Sequence, residues 1–436
     1  MSEIINVHLG ESGIRLGLQF WRRLADEHGL DQIGEAKNSN EHPNLNIKSY
    51  YNQTSAELYS PRAVFIDLDP NIQNIIRSDQ LNVQFRPENC LFGKCSTGNS
   101  WPKGMYEYGS ELIDEALSII RKQAENSDCL QGVQLFHSLG GGTGSGLSSL
   151  LSSHLKDEYP NELLTSFSIF PSPQVSDSVL EPYNAILTMN TLIESMDSVT
   201  VIDNGALYEI CRKNLKLYNV TYEDLNYLAS MAMSGATCFY RFPVEGVNGF
   251  SKLVSNLIPE PRLHFLSLGL APLVSKDSPN CDSLSITCLL DQAQSSSNSF
   301  CFYDPLVRRG TDRPAVAVFR GKFKSEDMYK DIGNDWGSSF ESFSWNSDYF
   351  KNSVCEIPLK EASKSCTIIS NTSAITDIFE RLSAQVSMMF ERRMFLFSFS
   401  RGGFDELEIP EAEYNCNELI LEYKNFFSDI VELDND

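Results

Sequence analysis

Up to Asp203 the chain alternates short β-branched runs with amphipathic stretches, the pattern that specifies a parallel sheet covered by helices. Strands are predicted at Ile4–Leu9, Ala63–Leu68, Gly132–Leu139, Leu163–Phe170 and Val199–Asp203. Between them, Trp21–Asp26, Gly109–Glu125, Gly144–Glu158 and Leu180–Glu194 carry apolar residues at helical spacing. In Gly109–Glu125, for example, Leu112, Ile113, Ala116, Leu117 and Ile120 form one apolar stripe. A further helix from Glu223 to about Tyr240, with Leu225, Leu228, Ala229 and Ala232 on one face, reads as a connection between two domains. Beyond it, strands at His264–Leu270, Ala315–Lys322, Cys355–Leu359 and Cys366–Ser370 and helices at Ala374–Glu391 and Ala412–Phe426 predict a second α/β domain and a helical end. The polar run Ser295–Ser299 reads as a loop.

Length supports more than one core. A chain of 436 residues exceeds what a single hydrophobic core usually serves. We divide it into residues 1–204, a nucleotide-binding-type α/β domain, 205–370, a core helix with an intermediate α/β domain, and 371–436, a helical region with a short acidic tail. The longest uncharged apolar stretch, around Leu263 to Val274, is too short for a membrane helix, so no membrane partner is expected. The N-terminus lacks the basic and apolar segments of a signal peptide, which predicts a cytosolic protein.

Eleven cysteines, an odd and scattered set, read as free thiols, and Cys90 and Cys95 have no second ligand pair at zinc spacing. A net charge of −23 argues against nucleic acid as a partner. Residues 403–436 hold eleven Asp/Glu against one Lys, so this end is expected to face solvent and basic partners.

The chemistry concentrates in Gly140-Gly141-Gly142-Thr143-Gly144-Ser145-Gly146, directly after the strand ending at Leu139 and before the helical run Leu147–Leu155. Without Cβ atoms such a loop brings backbone N–H groups close to an anion, and the helix N-terminus adds partial positive charge. Thr143 and Ser145 are expected to add hydroxyl donors. The alternative is a glycine-rich turn that binds nothing, which this strand-loop-helix context disfavours. Gly93-Lys94 and Gly321-Lys322 are followed by Cys95 and Phe323, so neither is a P-loop. Gly10, Gly13 and Gly17 lack the dinucleotide spacing, which disfavours a dehydrogenase.

The stretch 140–146 resembles the tubulin signature, and the similarity runs nearly end to end, through Arg62–Pro70, Cys129–Ser138, Val175–Asn184, Asp203–Cys211 and Pro261–Phe265. The resemblance implies a Rossmann-like, GTP-binding α/β domain with a parallel sheet, a core helix, a second α/β domain and C-terminal helices. Lys252 stands where alpha-tubulins carry a hydrolytic glutamate and beta-tubulins a lysine, so the chain resembles the beta type. By that resemblance it is a microtubule subunit with an exchangeable GTP/GDP site, pairing with alpha-tubulin, whose glutamate completes hydrolysis across the longitudinal contact. Lattice neighbours and microtubule-associated proteins, the latter on the acidic C-terminal region, are the other implied partners. The implied location is the cytoplasm and its microtubules, with a cilium or spindle as possible arrays.

Carried over by position, Ser138, Gly140, Gly141, Gly142, Thr143 and Gly144 hold phosphates, with Glu11, Ser12 and Asn99 beside them. Asn204 and Asn226 read the guanine edge, and Tyr222 stacks on the base; asparagine supplies the donor and acceptor that guanine needs. For Tyr222 alone, ordinary core packing is the plainer reading. Asp177 and Glu181 match positions near the ribose, although from residue type alone a solvated acidic loop is the plainer reading. Asp69 matches a glutamate associated with Mg²⁺.

Several positions depart from the family pattern. Glu11 replaces a glutamine beside the phosphates, where a carboxylate about 4 Å away would cost on the order of 4 kcal/mol at an effective dielectric near ~20. Arg15, one helical turn on, or the metal, or both, are expected to compensate. Val247-Asn248-Gly249 lacks the acidic group the family supplies to the neighbouring subunit, and Gly205 replaces a glutamate, so the longitudinal interface is expected to be weakened or specialised. Ser2 and the short ending at Asp436 put tail-dependent modification and motor recruitment in doubt. These changes motivate a second reading, a non-polymerising regulator or capping partner of alpha-tubulin. A metabolic enzyme has little support, since His8, His137 and His264 lie in apolar or strand contexts without a nucleophile.

Overall fold

The computed structural model describes residues 3–36, 46–54, 58–176, 178–243, 250–273, 285–302, 314–323, 350–399 and 403–433. Two compact units emerge, Met1–Thr200 with Phe379–Glu418, and Val201–Ile378 with Leu419–Asp436.

In the first unit β1 (Glu3–Leu9) leads into α1 (Gly10–Glu27), followed by the hairpin strands β2 (Tyr51–Gln53) and β3 (Tyr59–Pro61). Next come β4 (Ala63–Asp67), α2 (Gln73–Arg77), β5 (Cys90–Phe92), α3 (Tyr108–Glu125), β6 (Leu130–Ser138), α4 (Ser148–Glu158), β7 (Leu163–Phe170) and α5 (Glu181–Ser195). β8 (Ser198–Asp203) runs out of this unit. The strands pair in the order β7-β6-β1-β4-β5, every pair parallel. All seven residues of β1 and all five of β4 are buried, as a parallel sheet covered on both faces requires.

That burial includes polar side chains, and each has a partner. The Trp21 indole donates to Nε2 of the fully buried His8 at 2.9 Å, and the imidazole packs against the rings of Phe65 and Phe136, with centroids 4.9 and 4.4 Å away. Donation to Nε2 leaves the neutral ring its proton on Nδ1. Burial holds this imidazole down to about 3, so it stays uncharged. At the strand's start, Arg62 pairs with Glu3 at 2.5 Å, both nearly inaccessible, and the Cys129 N–H donates to the second carboxylate oxygen at 3.2 Å.

The second unit takes up α6 (Asn204–Lys213), α7 (Tyr222–Ala236), α8 (Cys238–Arg241), α9 (Phe250–Leu257), β9 (Phe265–Ala271), α10 (Ile286–Gln294), β10 (Ala315–Gly321), β11 (Phe350–Cys355) and β12 (Lys364–Ser370). Its strands run β11-β10-β12-β9, with β10 and β11 parallel and the other pairs antiparallel. Ile286, Leu289, Leu290 and Ala293 of α10 close one apolar core with Ala317, Phe319 and Ile368 of the sheet. α11 (Thr376–Glu391) and α12 (Glu408–Leu433) complete the chain.

Several elements differ from the sequence reading. The helix expected at Trp21–Asp26 starts eleven residues earlier, at Gly10, because its polar first turn hides the apolar period that continues in Ile14, Leu16 and Leu18. The expected helix to Tyr240 breaks at Thr237, whose hydroxyl bonds back to the Met233 carbonyl at 2.8 Å. The strand placed at Cys355–Leu359 lies at Phe350–Cys355; past it, the Ile357 carbonyl accepts from Arg320 Nε at 3.1 Å instead of continuing a ladder. α12 extends well beyond Ala412–Phe426 at both ends.

The serine run 295–299 is a short 3₁₀ turn anchored by buried Asn298, whose Nδ2 donates to the Leu270 carbonyl at 3.2 Å. Division at 204 and 370 meets a chain that divides after Thr200 and Ile378 and sends 379–418 back to the first unit. There Phe379 packs on Phe170 at 6.1 Å, and Tyr183 donates to the Met394 carbonyl at 3.2 Å. All ten described cysteines are free thiols. No helix among the described residues is long and apolar enough to cross a membrane.

Trp21→Phe keeps the ring but strands the buried His8 acceptor. It should lower the unfolding free energy of the first unit by on the order of 2 kcal/mol, read as an earlier midpoint in urea by near-ultraviolet circular dichroism.

Candidate nucleotide site

Loops at the carboxyl ends of the first unit's strands meet, the position where open α/β sheets bind ligands. Gly10 makes the turn from β1 into α1 at φ +72°, and a Cβ there would lie 2.9 Å from the Gly144 nitrogen. Gly142 meets the loop after β5 as closely; a Cβ would stand 2.4 Å from Thr97 Oγ1 and 2.7 Å from the Ser100 nitrogen. Any side chain at these positions would push the loops apart.

A residue without a role in the sequence reading holds two of these loops in place. Asn184 of α5 is fully buried, and its Nδ2 donates to the Asn99 carbonyl at 2.8 Å and the Gly140 carbonyl at 2.7 Å. Its Oδ1 accepts from the Trp101 N–H at 3.1 Å. Asn99 is thereby fixed at φ 58°, a strained conformation for a side-chain-bearing residue. Only a contact map connects position 184 with 99 and 140, so local pattern carried no signal for it.

The glycine loop enters α4 through a widened turn, Thr143–Leu147. The Ser145 hydroxyl, expected to face an anion, is buried and donates to the Gly141 carbonyl, so it shapes the loop instead. Ser138 Oγ accepts from the Gly140 N–H at 3.4 Å. Beneath the loop, His137 Nδ1 lies 2.9 Å from the Gly144 carbonyl and Nε2 lies 2.9 Å from Ser168 Oγ. The carbonyl can only accept, so Nδ1 carries the proton and the Ser168 hydroxyl donates to Nε2. Burial lowers this imidazole to about 4 and keeps it neutral.

Glu11 and Ser12 occupy the first turn of α1, exposed beside the Gly10–Gly144 contact. Arg15 reaches back to Glu11 with Nη2 at 2.8 Å. Asp69, expected at a metal, caps the turn after β4, its Oδ1 accepting from Asn71 N and Nδ2 at 2.9 Å each. Asp67 stands closer to the glycine loop, hydrogen-bonded to the Thr143 side chain. Burial, opposed by these hydrogen bonds, raises its carboxyl to about 6. The sequence reading missed it because a carboxylate at a strand end gives no sign of which loop it faces. The Glu181 stem packs over Gly140, 3.0 Å from where a Cβ would sit. Asp177 lies outside the described residues.

In the second unit, Asn204 opens α6 directly after the buried Asp203, whose carboxylate accepts from the Gly205 N–H at 3.0 Å. Tyr222 opens α7, fixed by the reciprocal cap of Thr221 and Asp224, with Asn226 one turn on. Tyr222 is half exposed, against the plain core-packing reading. α6 packs along α7, which gathers Asn204, Tyr222 and Asn226 in one unit. Residues 247–249 lie outside the described residues, and of Lys252 only its backbone within α9 is described.

Two family descriptions match this chain, the Tubulin/FtsZ family GTPase domain over residues 3–212 and the tubulin C-terminal domain over residues 261–384. The chain is 44% identical over 435 residues to the tubulin beta chain of Cicer arietinum, covering 99% of this chain and 96% of that one. The chain belongs to the tubulin family. The beta type expected from Lys252 agrees with that relative. The GTPase-domain match covers every first-unit loop described above and reaches Asn204 in α6.

Two outcomes test this site in a tubulin of this sequence. Asn184→Ala frees the Asn99 and Gly140 loops and should weaken GTP and GDP binding at least ~10-fold, about 1.4 kcal/mol, by nucleotide displacement, while guanosine binding falls less. The second is a pH dependence. His8 and His137, lowered to about 3 and about 4 from 6.5, remain neutral when folded but take up protons near 6.5 when unfolded. Their stabilisation is complete above pH 6.5 and is lost as pH falls toward 4. Asp67, raised to about 6 from 3.8, works the other way below pH 6, but is displaced by less. The urea midpoint should therefore fall between pH 6.5 and 4.

Proposed function

We propose that this chain is a beta-type, GTP-binding subunit of microtubules that pairs with alpha-tubulin. Its bound GTP is hydrolysed after assembly, with a glutamate of the alpha partner completing the reaction at the longitudinal contact. The observation that carries the reading is the backbone cradle of Gly10, Gly142 and Gly144, closed to any Cβ and braced by Asn184. It fits an anion that must be held by N–H groups. Ser138 and Gly140–Gly144 take the phosphates, with Glu11, Ser12 and Asn99 at their edge; Asn204 and Asn226 read the guanine edge and Tyr222 offers its ring face.

The donor set also fits Mg²⁺. Asp67 and Asp69 supply hard carboxylate oxygens, and a carboxyl that burial, and to a lesser extent the Asp69 charge, pushes toward its neutral form favours a bound cation as its counter-charge. The cation would neutralise phosphate charge. The chain's own part is to bind, orient and shield the nucleotide. His8 and His137 are buried and hydrogen-bonded within the fold, so neither serves as a base. The acidic α12 region is the surface for microtubule-associated proteins, and the place of action is the cytoplasmic cytoskeleton.

Co-expression with alpha-tubulin, copurification, nucleotide analysis and pelleting test the reading together. The expected result is a heterodimer carrying guanine nucleotide that pellets with GTP and leaves GDP in the pellet. A dimer that stays soluble and arrests filament growth would overturn it in favour of a capping regulator, and a dimer without nucleotide on this chain would overturn the site itself.

A further inference from the structure

Resting on the reading of the glycine loop as a guanine-nucleotide site, we propose that Arg15 is a specificity-determining residue there. Through its pair with Glu11 it sets how far the site favours triphosphate over diphosphate.

The geometry begins at the junction of Gly10 and Gly144, a backbone contact that leaves Glu11 as the first side chain to emerge beside the loop. Helical side chains lean toward the N-terminus, so Arg15, one turn on, returns its guanidinium to that same edge. Its Nε donates to Glu11 Oε1 at 2.8 Å, and Nη2 lies 2.8 Å from the same oxygen. Both side chains are roughly half exposed, at 43% and 53%, so the pair contributes little to folding.

Its consequence falls on the ligand. Every phosphate added to the nucleotide brings negative charge toward the Glu11 carboxylate. Arg15 cancels that carboxylate, and its guanidinium keeps N–H donors beyond the two already engaged. Without Arg15 the polyphosphate meets an uncancelled anion, and the penalty rises with ligand charge. Without Glu11 the cation acts alone and the sign reverses. With both gone the edge is neutral again, as it is in the pair.

Displacement of a labelled guanine nucleotide from the full chain by GTP, GDP or guanosine tests this. At low salt, Arg15→Gln should weaken GTP binding about tenfold, GDP binding less and guanosine binding not at all. Glu11→Gln should strengthen GTP binding, Glu11→Gln with Arg15→Gln should return to within about threefold of the parent, and Arg15→Lys should preserve the GTP-to-GDP ratio. The differences should shrink above roughly 0.15 M salt. Equal losses for all three ligands, or a double variant that stays about tenfold weaker for GTP than the parent, would overturn the proposal. So would a Glu11→Gln variant that loses GTP affinity only with Mg²⁺ present, since Glu11 would then be a cation ligand. A parent chain that binds guanosine but neither GTP nor GDP fails the underlying phosphate reading instead, so the two failures are distinguishable.

Discussion

Backbone meets backbone where the turn out of β1 touches the loop out of β6, and nothing wider than a glycine hydrogen fits between Gly10 and the Gly144 nitrogen. This contact fixes the start of α1, the position of Glu11 and the course of the glycine loop at once. Asn184 extends the same constraint sideways by giving one amide group to Asn99, Gly140 and Trp101. The phosphate role proposed for the glycine loop calls for preorganisation, because ordering the loop on binding would cost affinity. Here the ordering is done by hydrogen bonds already made in the fold.

The same economy explains the polar residues in the sheet. His137 bridges the Gly144 carbonyl and Ser168 as a neutral, two-ended connector, and the neutral His8 accepts from the Trp21 indole and packs between aromatic rings. Burial that lowers their proton affinity is what lets them remain in an apolar interior. Glu3 and Arg62 do the equivalent with full charges at the opposite end of β1. The rigidity of the sheet thereby transmits to the loops that it carries.

The departures from the family pattern acquire different meanings once placed. Glu11 is a member of an ion pair, not an isolated charge. Gly205 contributes its backbone N–H to the Asp203 cap, a role that any residue with an N–H fills, so its missing side chain does not disturb the start of α6. The carboxylate closest to the glycine loop's threonine is Asp67, while Asp69 spends an oxygen on capping its own turn.

Hydrophobic period, glycine spacing and the scattered cysteines were enough to determine an α/β chain, a parallel first sheet, free thiols at the described cysteines and the loop at 140–146, because each of these is written locally. The same local signals misplaced β11 and ended the helix from Tyr222 too late, since pairing partners and a back-bonding Thr237 are not local. At the candidate site, sequence singled out the glycines that make the close backbone contacts. Only tertiary structure decided that Ser145 turns inward, that Asp67 faces Thr143, that Asn184 braces the loops and that 379–418 returns to the first unit. Those outcomes depend on which distant backbone groups come within hydrogen-bonding reach, a property of the packed chain that residue spacing does not encode.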